Sequence, residues 1–230
     1  MGRMIEFKRP DGQSVQGYLA EPANPAAAPG VVVIQEWWGL NAQIKGVAER
    51  YAEAGYVALV PDLYRGKSTV EAAEAEHLMT NLNFGDAAGQ DVRGAVMYLK
   101  ARGTKVGVSG YCMGGALTLL AAVHVPEADA GVVYYGYPPL EYIDVAKIRM
   151  PLLAHWATDD APFPIANVDK LEAMLRGAGV SFEFHRYQAM HAFANETQVS
   201  AARLPITEYK PEAAATAWER TLSFWGRHLR

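Results

Sequence analysis

Unbroken apolar runs mark most of the strands in this chain. Gly30-Val31-Val32-Val33-Ile34-Gln35-Glu36 stays apolar through Ile34, and Tyr56-Val57-Ala58-Leu59-Val60 contains no charged residue. Runs of this kind predict strands buried on both faces, as in a parallel sheet. Lys105-Val106-Gly107-Val108-Ser109, Gly131-Val132-Val133-Tyr134-Tyr135 and Leu152-Leu153-Ala154-His155-Trp156 read the same way, and 181–187 predicts one more strand. Between these runs the period changes to that of a helix, over 41–54, 70–82, 86–101, 113–122, 165–177 and 211–228. The N-terminus differs: residues 5–7 and 16–19 flank Asp11-Gly12, which predicts a hairpin, and a Pro/Ala-rich loop follows over 23–30. Alternating strands and helices predict one α/β domain over residues 1–230, with a mostly parallel sheet and helices on both faces. Ligands of such sheets bind at the carboxyl ends of the strands.

The chemistry is concentrated at one of those ends. Cys112 is the only cysteine, and it stands at the centre of Gly110-Tyr111-Cys112-Met113-Gly114. A strand precedes this motif and an Ala/Leu-rich helix follows it. A sharp strand-to-helix turn with a nucleophile at its apex lifts that side chain above the sheet. Flanking glycines suit the turn because a Cβ at either position would clash. A lone cysteine is by default a small core residue, but the Gly-x-Cys-x-Gly setting favours a nucleophile.

A cysteine nucleophile needs a base, and the base needs an orienting partner. Of six histidines, His191 lies in the loop just past the last predicted strand. His155 and His185 fall inside strands, His77 and His228 on helices, and His124 near a helix end, all ordinary structural settings. Asp159 and Asp160 both follow the strand that ends at Trp156, and the residues leave them as alternatives. Two backbone N–H groups should hold an oxyanion. Position assigns these to Met113, directly after the nucleophile, and to Trp37, in the loop after the first buried strand. Glu36 closes that strand. A carboxylate there must be paired, so it is either a partnered structural group or a proton acceptor for the thiol.

Composition narrows the setting. Half the residues are apolar and a fifth are charged, which is the balance of a globular domain. Net charge is −4 and Lys and Arg do not cluster, which argues against a nucleic-acid footprint. One cysteine forms no internal disulfide, so nothing calls for an oxidising compartment. No N-terminal apolar stretch has signal-peptide length. The run at Val31 to Ile34 is far too short to span a bilayer. The expectation is a cytoplasmic monomer with no membrane or nucleic-acid partner. Asn195-Glu196-Thr197 matches a glycosylation sequon.

These residues together resemble the dienelactone hydrolase family of α/β-hydrolases. The resemblance is carried by Gln35-Glu36-Trp37-Trp38-Gly39, Pro61-Asp62-Leu63-Tyr64, Gly110-Tyr111-Cys112-Met113-Gly114-Gly115, Tyr134-Tyr135-Gly136, the stretch from His155 to Pro164, and His191-Ala192-Phe193. It implies the α/β-hydrolase fold, a Cys112-His191-Asp160 triad and no metal or organic cofactor. Asp160 is preferred because an aspartate four residues before a proline is the family pattern, met here by Pro164. The resemblance further implies that Glu36 takes the thiol proton when substrate binds. The substrate implied is a small ester or lactone, in the family a dienelactone cleaved to maleylacetate. Tyr64 matches a family tyrosine near the nucleophile, and Trp38, Tyr137 and Phe193 are expected to line an aromatic pocket with Trp37 and Phe84. The pattern departs at the substrate carboxylate. Where the family has an arginine four residues after the histidine stands Asn195, and no arginine occurs between Ser68 and Val92. Arg65, Lys67, His77 and Asn81 are the remaining candidates for that contact.

Overall fold

A computed structural model describes residues 2–198 and 204–230. The apolar runs become the centre of one eight-stranded sheet, ordered β1-β2-β4-β3-β5-β6-β7-β8. The strands are β1 (Arg3–Lys8), β2 (Ser14–Ala20), β3 (Gly30–Ile34), β4 (Val57–Pro61), β5 (Val106–Tyr111), β6 (Ala130–Tyr134), β7 (Leu152–Ala157) and β8 (Phe182–Tyr187). β1, β2 and β4 pair antiparallel, and every pairing from β4 through β8 is parallel.

Successive side chains of a strand point to opposite faces. Here both faces are covered, which is why the sequence shows no alternation. Val32 and Ile34 of β3 join a core with α4 (Arg93–Lys100), α5 (Met113–His124) and α6 (Ile165–Gly177). Val31 and Val33 join the opposite core with α1 (Ala42–Glu53) and α7 (Pro211–His228). α1 starts at a side-chain cap, the Asn41 carboxamide accepting from the Ile44 N–H, a contact that satisfies one orphan donor of the first turn. α2 (Ala72–Thr80) lies outside this packing, with Ala75 its one buried residue.

Three boundaries differ from the sequence pattern. β3 stops at Ile34, since its partner β5 leaves the ladder for the turn at Cys112 directly after the Ile34–Gly110 pair. Gln35 and Glu36 therefore sit beyond the strand, at the carboxyl edge of the sheet. β5 runs on to Tyr111, because β6 continues to pair with it. The helix expected from residue 86 begins as α3 (Phe84–Asp86) and passes through a π-helical stretch, Ala87–Val92, before α4.

That π-helical stretch carries the fold's buried ion-pair network. Asp91 is 1% exposed in its side chain and accepts from Arg9 at 3.1 Å and from Arg65 at 2.9 Å. Arg9, 7% exposed, also holds Asp11 at 2.6 Å and Asp86 at 2.9 Å. One guanidinium thus ties the hairpin turn to the helix start, while Arg65 fixes the loop after β4. π-helical turns commonly mark such local constraints. Removing one member of a buried pair leaves its partner's charge uncompensated. Asp91→Ala is therefore expected to lower unfolding free energy by about 3 kcal/mol in urea titration. A loss of about 1 kcal/mol or less would equate the network with surface pairs.

Candidate active site

The site is built from the ends of β3, β5, β7 and β8. At the end of β5 the chain turns at Cys112 with φ 54° and ψ −116°, a backbone region costly for any residue with a Cβ. The turn is enclosed so closely that three neighbours must be glycine. A Cβ on Gly110 would stand 1.9 Å from the Gly114 carbonyl oxygen, and one on Gly114 would stand 2.4 Å from that of Ile34. One on Gly136, after β6, would meet the Cys112 carbonyl oxygen at 1.8 Å. Cys112 itself is half-buried.

The loop after β8 carries His191, 5% exposed, with Ala192 at φ 61° just beyond it. Its Nε2 lies 3.1 Å from Cys112 Sγ and its Nδ1 lies 2.8 Å from Asp160 Oδ2. An ionised carboxylate only accepts, so Nδ1–H donates and Nε2 faces the sulfur. The other Asp160 oxygen accepts from the Phe163 N–H at 2.8 Å. Phe163 stacks on one side of the imidazole and Tyr135 meets it edge-on, with centroids 5.3 and 5.2 Å away. Burial works against the imidazolium, but the neighbouring Cys112 sulfur and the Asp160 contact outweigh it, and the His191 pKa is raised to about 10. Asp159, the alternative acid, is exposed.

Glu36 is 4% exposed and lines the same cavity as Cys112 and His191. Its carboxylate accepts from Tyr135 Oη at 3.2 Å and from Asn195 Nδ2 at 2.7 Å. Burial raises its pKa, while the charge of His191 and these two hydrogen bonds pull the other way. Tyr135 holds its hydroxyl there from a strained backbone, φ 36°. Asn195 is locked in turn, its Oδ1 accepting from Thr197 Oγ1 at 2.6 Å and from the Thr197 N–H at 3.0 Å. The backbone N–H groups of Trp37 and Met113 have no acceptor among the described residues, and both residues line the cavity.

The cavity encloses about 280 Å³. Of the side chains expected to contact substrate, Trp37 and Trp38 line it; the others lie elsewhere. Phe193 is fully buried between Tyr135 and Tyr187. Asn195 is 1% exposed and spent on Glu36. Tyr137 supports the acid loop, donating to the Pro164 carbonyl at 3.1 Å and packing on Phe163. Tyr64 is buried with its hydroxyl 3.3 Å from Met113 Sδ, so it backs the turn from behind. Phe84 lines a separate groove. The cavity wall instead uses Met79 of α2, Pro162, Phe163, Gln198, Leu204, Ile206 and Thr207. Phe163 was legible, since it sits between Asp160 and Pro164. The others carry no local signal, because only the tertiary fold brings them over Cys112.

The candidate cations also lie away from the cavity. Arg65 grips both oxygens of Asp91 at 2.9 and 3.0 Å. His77 and Asn81 pair with each other on the exposed face of α2, and Lys67 is exposed. His155 is a core residue as expected, bonded to Tyr187 Oη and Thr221 Oγ1 at 2.9 and 3.0 Å. Among the described residues no cluster of three or more His, Cys, Asp or Glu side chains has metal-holding geometry. No helix there is long and apolar enough to cross a membrane.

A sharp turn at Cys112 after β5, Asp160 after β7 and His191 after β8, on this sheet order, have the arrangement of the α/β-hydrolase fold. The chain belongs to the dienelactone hydrolase family, whose model matches residues 15–229. It is 35% identical to Protein usf of Aquifex pyrophilus and 32% identical to an Aquifex aeolicus protein with the provisional name carboxymethylenebutenolidase; both alignments cover 100% of each chain. A Klebsiella pneumoniae crystal structure, provisionally named a dienelactone hydrolase, superposes with a TM-score of 0.83 at 25% identity, covering 98% of this chain and 99% of that one.

The buried carboxylate predicts a pH signature. A carboxyl whose pKa is raised by folding binds its proton more tightly in the folded state, so stability falls as pH rises from its ordinary value near 4.5 through the raised one. Glu36→Gln removes that loss. The melting temperature of the variant should gain on the parent as pH rises above the ordinary carboxyl value near 4.5; parallel curves would contradict the assignment.

Proposed function

We propose that this protein hydrolyses small carboxylic esters or lactones through an acyl-cysteine intermediate. The observation that carries the reading is the single imidazole contacting both Cys112 Sγ and the Asp160 carboxylate. The thiolate is the reactive form of cysteine, and His191 Nε2 is positioned to take its proton. The sulfur then adds to the substrate carbonyl. The N–H groups of Trp37 and Met113 receive the oxyanion, a role supported by their free donors at the cavity wall. Collapse expels the alcohol oxygen, which takes the proton from the imidazolium. Water, deprotonated by His191, attacks the thioester and releases the acid and the thiolate. Asp160 keeps the imidazole in the productive tautomer and stabilises its cation.

Glu36 is the second proton acceptor of this scheme. Its raised pKa makes it a readier acceptor than an ordinary carboxylate, and in this second route it holds the one thiol proton in place of His191 until the departing oxygen takes it, so the imidazole stays neutral and able to activate water. The lactone class is supported by relatives whose names place them among the carboxymethylenebutenolidases. The steps use side chains and backbone donors alone and call for no metal or organic cofactor. We place the enzyme in the cytoplasm as a monomer, in keeping with its single cysteine.

Hydrolysis of a short-chain nitrophenyl ester tests the scheme. Cys112→Ala should lose turnover and the acyl-enzyme mass seen after rapid quenching, and Asp160→Asn should lose about 10²- to 10⁴-fold in kcat. Equal rates for Cys112→Ala and the parent would remove the thiol from the mechanism. Glu36→Gln should show slower hydrolysis and a changed rate of alkylation by iodoacetamide. If it matches the parent in both assays, Glu36 does not accept the proton.

A further inference from the structure

We infer that the protein carries a second ligand site, separate from the Cys112 cavity, that binds a small aromatic monocarboxylate. The site is a pocket of about 200 Å³ bounded by α1 and α7. Buried Tyr111 and Tyr134, the last residues of β5 and β6, line it together with the more open Arg50, Tyr209 and Trp218. Among the described residues it shares no lining residue with the Cys112 cavity. The carboxyl ends of sheet strands are the usual place for a ligand. Consecutive residues here serve two such places: Tyr111 lines this pocket and Cys112 lines the other.

The polar groups of the pocket suit a single negative charge. Arg50 forms no ion pair with any described carboxylate, and Val199 to Arg203 contain no acid that could supply one. Its guanidinium lies over the Trp218 ring, 5.3 Å from the centroid. Stacked in this way, the planar fork keeps its donors for a carboxylate. The phenols nearby are not alike. Tyr51 Oη gives its hydrogen to Ser109 Oγ at 3.0 Å, and Tyr134 Oη pairs with Thr221 Oγ1 at 2.8 Å. The Tyr111 hydroxyl has no such partner among the described residues, although the residue is 3% exposed. Burial raises the pKa of all three phenols, and the charge of Arg50 acts on each in the opposite sense. Tyr111 therefore keeps its proton and can donate it. A buried hydroxyl without a partner costs free energy, and a ligand oxygen beside Arg50 would supply one. α7 meets the pocket at its first turn, through Pro211 and Ala214, and its N-cap residue, Lys210, makes no side-chain cap. The positive end of that helix adds to the attraction for an anion.

The rest of the wall sets the class of ligand. Trp218 and Tyr209 offer rings, and Ala194, Ala214 and Ala215 offer methyl groups, which suits a flat apolar body behind the carboxylate. One guanidinium and one hydroxyl balance a single charge. A phosphate dianion would bring more charge to desolvate and no apolar surface to bury. The volume lies below the range of ~300 to 1,000 Å³ typical of drug-sized pockets, so one ring is the limit.

The experiment titrates benzoate into the intact protein by calorimetry, after iodoacetamide has alkylated Cys112 and so obstructed the other cavity. Benzoate should bind saturably. Arg50→Gln should weaken it by about tenfold or more, the scale of one charge-assisted hydrogen bond. Tyr111→Phe should weaken it to a smaller extent, and benzamide, the neutral isostere, should bind far less tightly than benzoate. Arg50 is exposed on α1, so Arg50→Gln should keep nitrophenyl ester hydrolysis at the parent rate, which separates this site from the hydrolase reading. Absence of saturable binding overturns the inference, and so does benzoate binding that Arg50→Gln leaves unchanged. Benzamide or inorganic phosphate binding as tightly as benzoate also overturns it.

Discussion

The turn at Cys112 holds its shape because three backbone segments press against it at hard-sphere distance. The strand end supplies Gly110, the first turn of α5 supplies Gly114, and the segment after β6 supplies Gly136. A positive φ at a residue with a side chain is unfavourable in isolation. Here the strain is held by surrounding ladders that have no slack: β5 pairs with β3 on one side and β6 on the other up to the turn. The sulfur is therefore aimed by the sheet, not by its own rotamer preference. Tyr135 at φ 36° and Ala192 at φ 61° repeat the device. Each bends the chain beside a site residue, so strained backbone gathers around the cavity.

A second layer of order comes from pairing buried polar groups to one another. Asp160 spends one oxygen on His191 and the other on a backbone N–H, so it has little freedom to turn. Glu36 is held by Tyr135 and Asn195, and Asn195 by Thr197. Buried polar groups are tolerable only when so satisfied. The side chain of Gln35, wholly buried, is the contrast: neither its amide nitrogen nor its oxygen finds a partner among the described residues. It sits directly before Glu36, and a bound water is the ordinary way to satisfy such a group.

Most of the architecture was legible in the sequence, for one reason. A sheet covered on both faces writes itself as apolar runs, and the helices between them keep their own period. The bounds of α6 and α7 match the pattern, and the hairpin is where Asp11-Gly12 placed it. Cys112 and His191 stood out because each follows a strand at the same edge of the sheet, whereas the residues left Asp159 and Asp160 as alternatives and only the family spacing to Pro164 favoured Asp160. The cavity wall was not legible. Met79 and Ile206 look like unremarkable apolar residues on a helix and in a loop, and Phe193 looks like a pocket residue but is core. Orientation relative to Cys112 decides these cases, and a one-dimensional pattern does not encode it. The π-helical stretch was hidden as well, and the ion pairs it carries, from Asp91 to Arg9 and Arg65, join positions distant along the chain.

The sequon at Asn195 acquires a meaning from its surroundings. The nitrogen to which an oligosaccharide would be attached is the nitrogen that binds Glu36, and it is shut off from solvent. Sugar and native site are mutually exclusive. A sugar attached to the nascent chain in a glycosylating secretory route would be too bulky for this buried position and would keep Asn195 from packing against Glu36. Production in a host that glycosylates exported proteins would thus trap a form in which this contact does not close, whereas synthesis away from that machinery leaves the amide free to pack.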